Sequence, residues 1–300
     1  MSVALARPTE AVKRWDACPV CADRTSSTWV AFEDLAFVRC LQCATVYKQF
    51  ERAGLRAEDF YEQGYFHGRR SGRDKRFEHR VRKGCRQISG TFEFADLRSV
   101  LDVGCSMGYL VEAGRRLGLE SAGVDVSSYA VDACRSRGLR AEVGTLESLP
   151  FEDGEFDLVI LRHVLEHTPT PRAALDEVKR VLAPKGLVLI AVPDLRYWKG
   201  LLLRRTYRYF RPDDLGQQHY VYYRQTSLER LLTQVGFEVI APSKAFFMRK
   251  KAQGNPVRWL AESLRFGVVA LWQLLASILF MRRELYVIAR MADASAAKER

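Results

Sequence analysis

Val100-Leu101-Asp102-Val103-Gly104-Cys105-Ser106-Met107-Gly108, followed by Gly123-Val124-Asp125-Val126, is the stretch that decides the fold of this 300-residue chain. A short apolar run closes in Asp and Gly, small residues turn the backbone, and a helix-patterned segment follows. A second apolar run then closes in Asp125. An α/β sheet builds a nucleoside pocket in this way, at the carboxyl edge of its first two strands. The acid ending the second strand is placed to accept both hydroxyls of a ribose. Several nucleoside cofactors fit such a pocket, so the downstream sequence must decide which one it holds.

Working outward, strand-like runs cover 99–104, 121–126, 141–144, 156–161 and 186–192. Between them, 109–118, 128–138 and 171–182 carry apolar residues at helical spacing. Ser127 and Ser128 cap the second of these helices, and Gly118 and Gly138 end the first and second. Strands that are apolar throughout imply a parallel sheet covered on both faces. The order changes near the end: 226–235 reads as a helix, 237–247 as a sixth strand, and 284–291 as a seventh that returns antiparallel.

Upstream, Cys18-Pro19-Val20-Cys21 is followed after eighteen residues by Cys40-Leu41-Gln42-Cys43. Two residues between cysteines let one tight turn aim both sulfurs at a single point, and two such turns supply the four thiolates of a tetrahedral zinc site. Residues 27–38 alternate enough to form a hairpin between them. Four thiolates leave no open position, so the expected zinc is structural and staples a segment too short for a core of its own. Cys85, Cys105 and Cys134 read as packing residues.

Residues 99–194 resemble a class I S-adenosylmethionine-dependent methyltransferase of the broad small-molecule type. The resemblance is carried, in order, by LDVGCSMGYL, AGVDVS, ESLPFEDGEFDLVI and HVLEHTPTPRAALDEVKRVLAPKGLVLIAVPD. It implies a Rossmann-like seven-stranded sheet with a reversed last strand, which a dehydrogenase lacks. The ribbon resembles that of bacterial sugar- and glycan-modifying methyltransferases, and FYEQGYF (60–66) resembles their aromatic lid. For the cofactor the resemblance implies Asp102, Gly104, Ser106 and Gly108 around the methionine part and Asp125 with Val126 at the ribose. It puts Thr145 and Leu146 at the adenine-reading turn and Arg162 beneath the sulfonium. Ser106 stands where a third glycine is commonest, and Thr145 where an Asp often reads the adenine amine.

A hydroxyl or carbon acceptor also needs a base. His163 and His167 lie four apart at an expected helix start, so both can face one side. His219 lies in QQHYVYYRQTSLERLL, which resembles the family's acceptor-side segment. His167 and His219 are the candidate catalytic residues, and Tyr61, Tyr65 and Tyr222 candidate lid or stacking residues.

A net charge of +11 is concentrated in nine Lys or Arg residues between Arg69 and Arg86, a solvated helix face or a strip for phosphate groups. The N-terminal residues carry no apolar core of signal-peptide length, so a cytoplasmic enzyme is expected. Segments 197–211 and 259–283 mix apolar residues with arginines. Only 266–281 is free of charge, sixteen residues against the roughly 20 that span a bilayer. They fit a buried or dimer-forming helix, or a surface anchor on the inner face of the membrane.

The expected organisation is therefore a zinc ribbon (1–49), a lid and basic connector (50–95), a methyltransferase domain (96–292) with an apolar helical insertion (256–283), and a disordered tail (293–300). The expected activity is methyl transfer from S-adenosylmethionine to a small-molecule acceptor, a sugar or glycan intermediate. The alternatives are an RNA methyltransferase using the ribbon and basic run, and a non-catalytic zinc-ribbon adaptor.

Overall fold

A computed structural model describes residues 12–31, 35–52, 75–195, 219–241 and 284–292. The expected aromatic lid, the two apolar segments, the insertion, the tail and the end of the sixth strand (242–247) lie outside the described residues.

The N-terminal sheet contains β1 (Val12–Arg14), β2 (Ser26–Ala31), β3 (Leu35–Cys40) and β4 (Val46–Arg52), in the order β1-β4-β3-β2. β2 and β3 form the expected hairpin, with Thr28 opposite Val38. Each Cys-x-x-Cys turn closes on itself: Ala22 N–H donates to the Cys18 carbonyl and Ala44 N–H to that of Cys40. Ala22 and Ala44 take left-handed φ of 60° and 59° to do so.

Helix α1 (Lys75–Ser89) then leads into the main sheet. It packs on α2 (Tyr109–Arg116) through Gly84, where an added Cβ would stand 2.9 Å from Leu110 Cδ2. Glu78 on α1 receives both terminal nitrogens of Arg116 at 2.7 and 2.8 Å. Part of the basic run is thus a structural helix, with Arg80 lying 4.7 Å over the Tyr109 ring.

The main sheet comprises β5 (Ser99–Val103), β6 (Glu120–Asp125), β7 (Arg140–Val143), β8 (Phe156–Arg162), β9 (Leu182–Pro193), β11 (Phe237–Ala241) and β12 (Glu284–Met291). Its order is β11-β12-β9-β8-β5-β6-β7. The five strands from β5 to β9 run parallel, and β12 returns antiparallel between β9 and β11. This is the mixed sheet the sequence leads one to expect. Helices α3 (Ser128–Arg135), α4 (Pro171–Val181) and α5 (Gln225–Gln234) complete the layers. β5, β8 and β9 are buried almost throughout, as strands covered on both faces must be.

Between β9 and α5 the chain makes β10 (Val221–Tyr222), which leaves the main sheet and adds to the ribbon sheet beside β4. Cys18, Val20, Cys40, Cys43 and Tyr47 consequently share one core with Leu161, Leu165, Ala174 and Tyr223.

Candidate active site

The loop between β5 and α2 is built for close approach of a ligand to backbone. Gly104 and Gly108 take φ of +71° and +77°, and a Cβ at Gly104 would stand 2.6 Å from Val164 Cγ2. Ser106 adopts φ +50° between them, a conformation that costs a non-glycine residue about 1 kcal/mol or more. Asp125, at the end of β6, fastens this loop: its carboxylate accepts from the Ser106 N–H at 2.8 Å and the Ser127 N–H at 3.0 Å. Burial raises the Asp125 carboxyl above the usual range, and these backbone donors oppose that rise. Asp102 is fully enclosed, and burial pushes it up to about 8 against the opposing field of Arg162.

Val126 is half-buried beyond β6, Thr145 is exposed after β7, and Leu146 is buried beside it. Arg162 ends β8. The expected cofactor residues thus gather at the carboxyl ends of four adjacent strands, β7-β6-β5-β8. Ser106 Oγ and Arg162 Nε are buried there without a protein hydrogen-bond partner. Unsatisfied polar atoms around a glycine-lined cradle fit a polar nucleoside ligand.

The histidines differ from expectation. His163 and His167 do not share a helix start, because α4 begins only at Pro171. His163 takes φ +55°, and Leu165–His167 form a single 3-10 turn. His163 Nδ1 reaches Glu166 Oε1 at 3.2 Å and its Nε2 reaches Glu284 Oε1 at 3.2 Å. Burial opposes its charge, but the two carboxylates outweigh burial and raise it to about 9. Glu284 is held down at about 2: burial acts against its charge, and His163, Tyr286 and Arg162 prevail.

Glu166 is 1% exposed and carries an oxygen, Oε2, with no hydrogen-bond partner. Burial works against its charge, yet the bond from His163 and the field of His167 keep it low. The His167 and His219 rings meet edge to face at 4.7 Å, and a ligand atom from each lies within 4.8 Å of Glu166 oxygen and of the other. Burial, with His167 adding to it, lowers His219 to about 3, so its imidazole is neutral. A small cation would find three donors here. The Glu166 carboxylate that takes the His163 ring also faces His167, so the same three groups can steady a proton held on an imidazole.

Sequence reasoning passes over Glu166 and Glu284. The spacing His163-x-x-Glu166-His167 is the available signal for the first. The second needs β12 placed beside β9 before it can be seen.

In the ribbon, Cys18 Sγ lies 3.6 Å from Cys43 Sγ, and Cys21 Sγ lies 3.5 Å from Cys40 Sγ. All four sulfurs lie within 4.8 Å of one another. Zinc–sulfur bonds of ~2.3 Å in a tetrahedron set sulfurs ~3.8 Å apart, so the cluster fits a structural zinc.

A family profile described as a methyltransferase domain matches residues 73–241, more than half of the chain. The chain belongs to the class I S-adenosylmethionine-dependent methyltransferases. This methyltransferase is 37% identical over 101 residues to a ubiquinone biosynthesis O-methyltransferase of Alkalilimnicola ehrlichii, covering 31% of this chain and 41% of that one. A ubiquinone biosynthesis O-methyltransferase of Xanthomonas oryzae pv. oryzae is 33% identical over 141 residues, 41% of this chain and 59% of that one. The match therefore spans less than two thirds of either relative. A solved methyltransferase structure from Galdieria sulphuraria shares the fold, with a TM-score of 0.51 at 14% identity over 77% of this chain and 98% of that one. The cofactor of this methyltransferase is S-adenosylmethionine.

Proposed function

We propose that the methyltransferase methylates a hydroxyl oxygen of a small molecule, with His167 as the base and Glu166 holding it. The observation that carries this reading is the buried Glu166 carboxylate set against His167 and neutral His219. Bound S-adenosylmethionine supplies an electrophilic methyl group. Asp102, Gly104, Ser106 and Gly108 would enclose its methionine part, Asp125 with Val126 its ribose, Thr145 with Leu146 its adenine, and Arg162 the floor. His167 would take the acceptor proton, and Glu166 would stabilise the resulting imidazolium. His219, too weakly basic to hold a proton itself, would orient the acceptor through a hydrogen bond.

The relatives' name as O-methyltransferases supports oxygen as the target atom. For the acceptor we favour a sugar of glycan assembly, since the four-cysteine ribbon that adjoins this side of the site resembles that of sugar- and glycan-modifying methyltransferases. Tyr222, a candidate stacking residue in the sequence, is buried against Phe37 and takes no part. A lipid-linked sugar would also give 197–211 and 259–283 a role at the cytoplasmic membrane surface. Among the described residues no helix is long and apolar enough to cross a membrane.

Labelled methyl transfer from S-adenosylmethionine should go to nucleotide sugars or lipid-linked glycans, with phenols and RNA as the competing arms. His167→Gln should slow it by about 10²- to 10⁴-fold while cofactor affinity stays level. Transfer to RNA would overturn the acceptor class, and an undiminished rate would remove His167 as the base.

A further inference from the structure

Among the described residues, the hydrogen bonds and ring contacts that join the zinc ribbon to the site fall on its acceptor side. β4 begins three residues after Cys43 and pairs with β10, Val221 opposite Tyr47 and Tyr222 opposite Val46. One residue further along, the Lys48 N–H donates to the Tyr220 carbonyl at 2.8 Å, and the Tyr220 N–H donates to the Glu166 carbonyl at 2.8 Å. The backbone thus bonds β4 to Tyr220 and Tyr220 to the Glu166-His167 turn.

Side chains repeat the link. Lys48 is 2% exposed, and its ammonium lies 4.2 Å over the Tyr220 ring. Trp15 of the ribbon meets that ring edge to face at 5.2 Å, and Phe37 meets Tyr222 at 5.5 Å. Tyr222 in turn lies 5.4 Å from the His219 ring. At the other knuckle, the Arg172 guanidinium on α4 donates to the Val20 carbonyl at 2.6 Å, between Cys18 and Cys21. The cofactor loop is held differently: Ser106 by Asp125, and Gly104 and Gly108 against Val164, Leu139 and Cys134, all outside the ribbon.

We propose that β4 of the zinc ribbon, through Lys48 and Tyr220 as positioning residues, holds His219 against His167, so that zinc governs the acceptor half of the site and not the cofactor half. A forty-residue ribbon without its metal cannot keep β4 in register. β10 pairs only with β4 among the described strands, so Tyr220 and His219 lose the ribbon side of their support with it, and the Tyr220 bond to the Glu166 carbonyl must hold them without it. The catalytic consequence rests on the proposed acceptor role of His219; the positioning itself does not.

The test uses the full chain with isotope-labelled histidine, whose five side chains give five ring signals assignable by single His→Gln variants. Zinc is removed by chelation, and Lys48→Met and Lys48→Arg are made with all four cysteines intact. Zinc removal and Lys48→Met should each shift or broaden the His167 and His219 signals while that of His79 stays in place. S-adenosylmethionine affinity should change by less than about twofold. Zinc readdition should restore the chelated protein, and Lys48→Arg, which keeps the cation over the ring, should resemble the parent.

Transfer to the acceptor should fall by about tenfold or more in the zinc-free protein and in Lys48→Met. Unmoved His167 and His219 signals in Lys48→Met, or a cofactor affinity that falls along with them, would overturn the proposal. If the zinc-free chain unfolds outright, Lys48→Met alone decides. If the parent methylates no acceptor offered, the proposed function fails, and the ring signals still decide whether the ribbon positions His219.

Discussion

His163→Gln should change how stability depends on pH, by an amount the site geometry sets. The imidazole lies between Glu166 and Glu284, 3.2 Å from each, and is held at about 9 against an ordinary 6.5. Its folded-state affinity for the proton is raised, so its contribution is fully present below pH 6.5 and is lost as pH rises through about 9. Taken whole, that difference is about 3 kcal/mol. The side chain is 37% exposed, and solvent screening brings the expected contribution to about 1.5 kcal/mol. Glu284 works in the opposite window, since its contribution is lost only as pH falls through about 2. Glutamine keeps the hydrogen-bonding shape and removes the charge. Urea unfolding of parent and variant at about pH 6 and about pH 9.5 should therefore show a gap of about 1.5 kcal/mol that largely closes at the higher pH. Titrating groups that do not touch His163 cancel in the difference. A gap equal at both values would refute the imidazolium bridge.

Asp125→Ala should weaken S-adenosylmethionine binding by about a hundredfold, as two hydrogen bonds to a charged acceptor are lost. It should also cost about 1–2 kcal/mol of stability, because the Ser106 and Ser127 N–H groups lose their acceptor. Calorimetric titration alongside thermal melting separates the two effects, and normal cofactor affinity would remove Asp125 from the pocket. Gly104→Ala should destabilise by about 1–3 kcal/mol, from a φ of +71° and a Cβ 2.6 Å from Val164 Cγ2. Since Val164 adjoins His163, the same variant should perturb the His163 ring signal, and an unchanged melt with an unchanged signal would contradict the tight packing of the loop on this turn.

The parts of this site legible in the sequence are those made by local chain. The Asp102–Gly108 loop is one strand end and one turn, Asp125 closes the adjacent strand, and each cysteine pair is a single turn. Buried parallel strands announce themselves as unbroken apolar runs, and Glu284–Met291 could be read as a returning strand because it follows five such runs. β10 escapes because two residues have no period. The helix expected to carry His163 and His167 is absent for a reason no pattern shows: His163 is a non-glycine residue at φ +55°, held there by partners distant in sequence. Glu284 lies more than a hundred residues beyond His163, and nothing in either neighbourhood marks the other.

The reversed strand does more than identify the fold. β12 runs antiparallel to β9, so its first residue, Glu284, lies opposite Pro193, at the end where β9 leaves the sheet. That end is also where β8 delivers Arg162 and His163. A parallel strand in the same place would put its first residue at the amino edge, a full strand length from His163, and only its last residue could reach the site. Reversal lets a strand that has just re-entered the sheet contribute a carboxylate to the carboxyl edge. There Glu284 engages one nitrogen of the His163 ring, Nε2, while Glu166 engages the other, Nδ1. Held from both sides, His163 keeps the left-handed conformation that turns the chain out of β8. The same turn carries Glu166 beneath His167 and His219, so the geometry of the acceptor side depends on the direction of the last strand as well as on the ribbon.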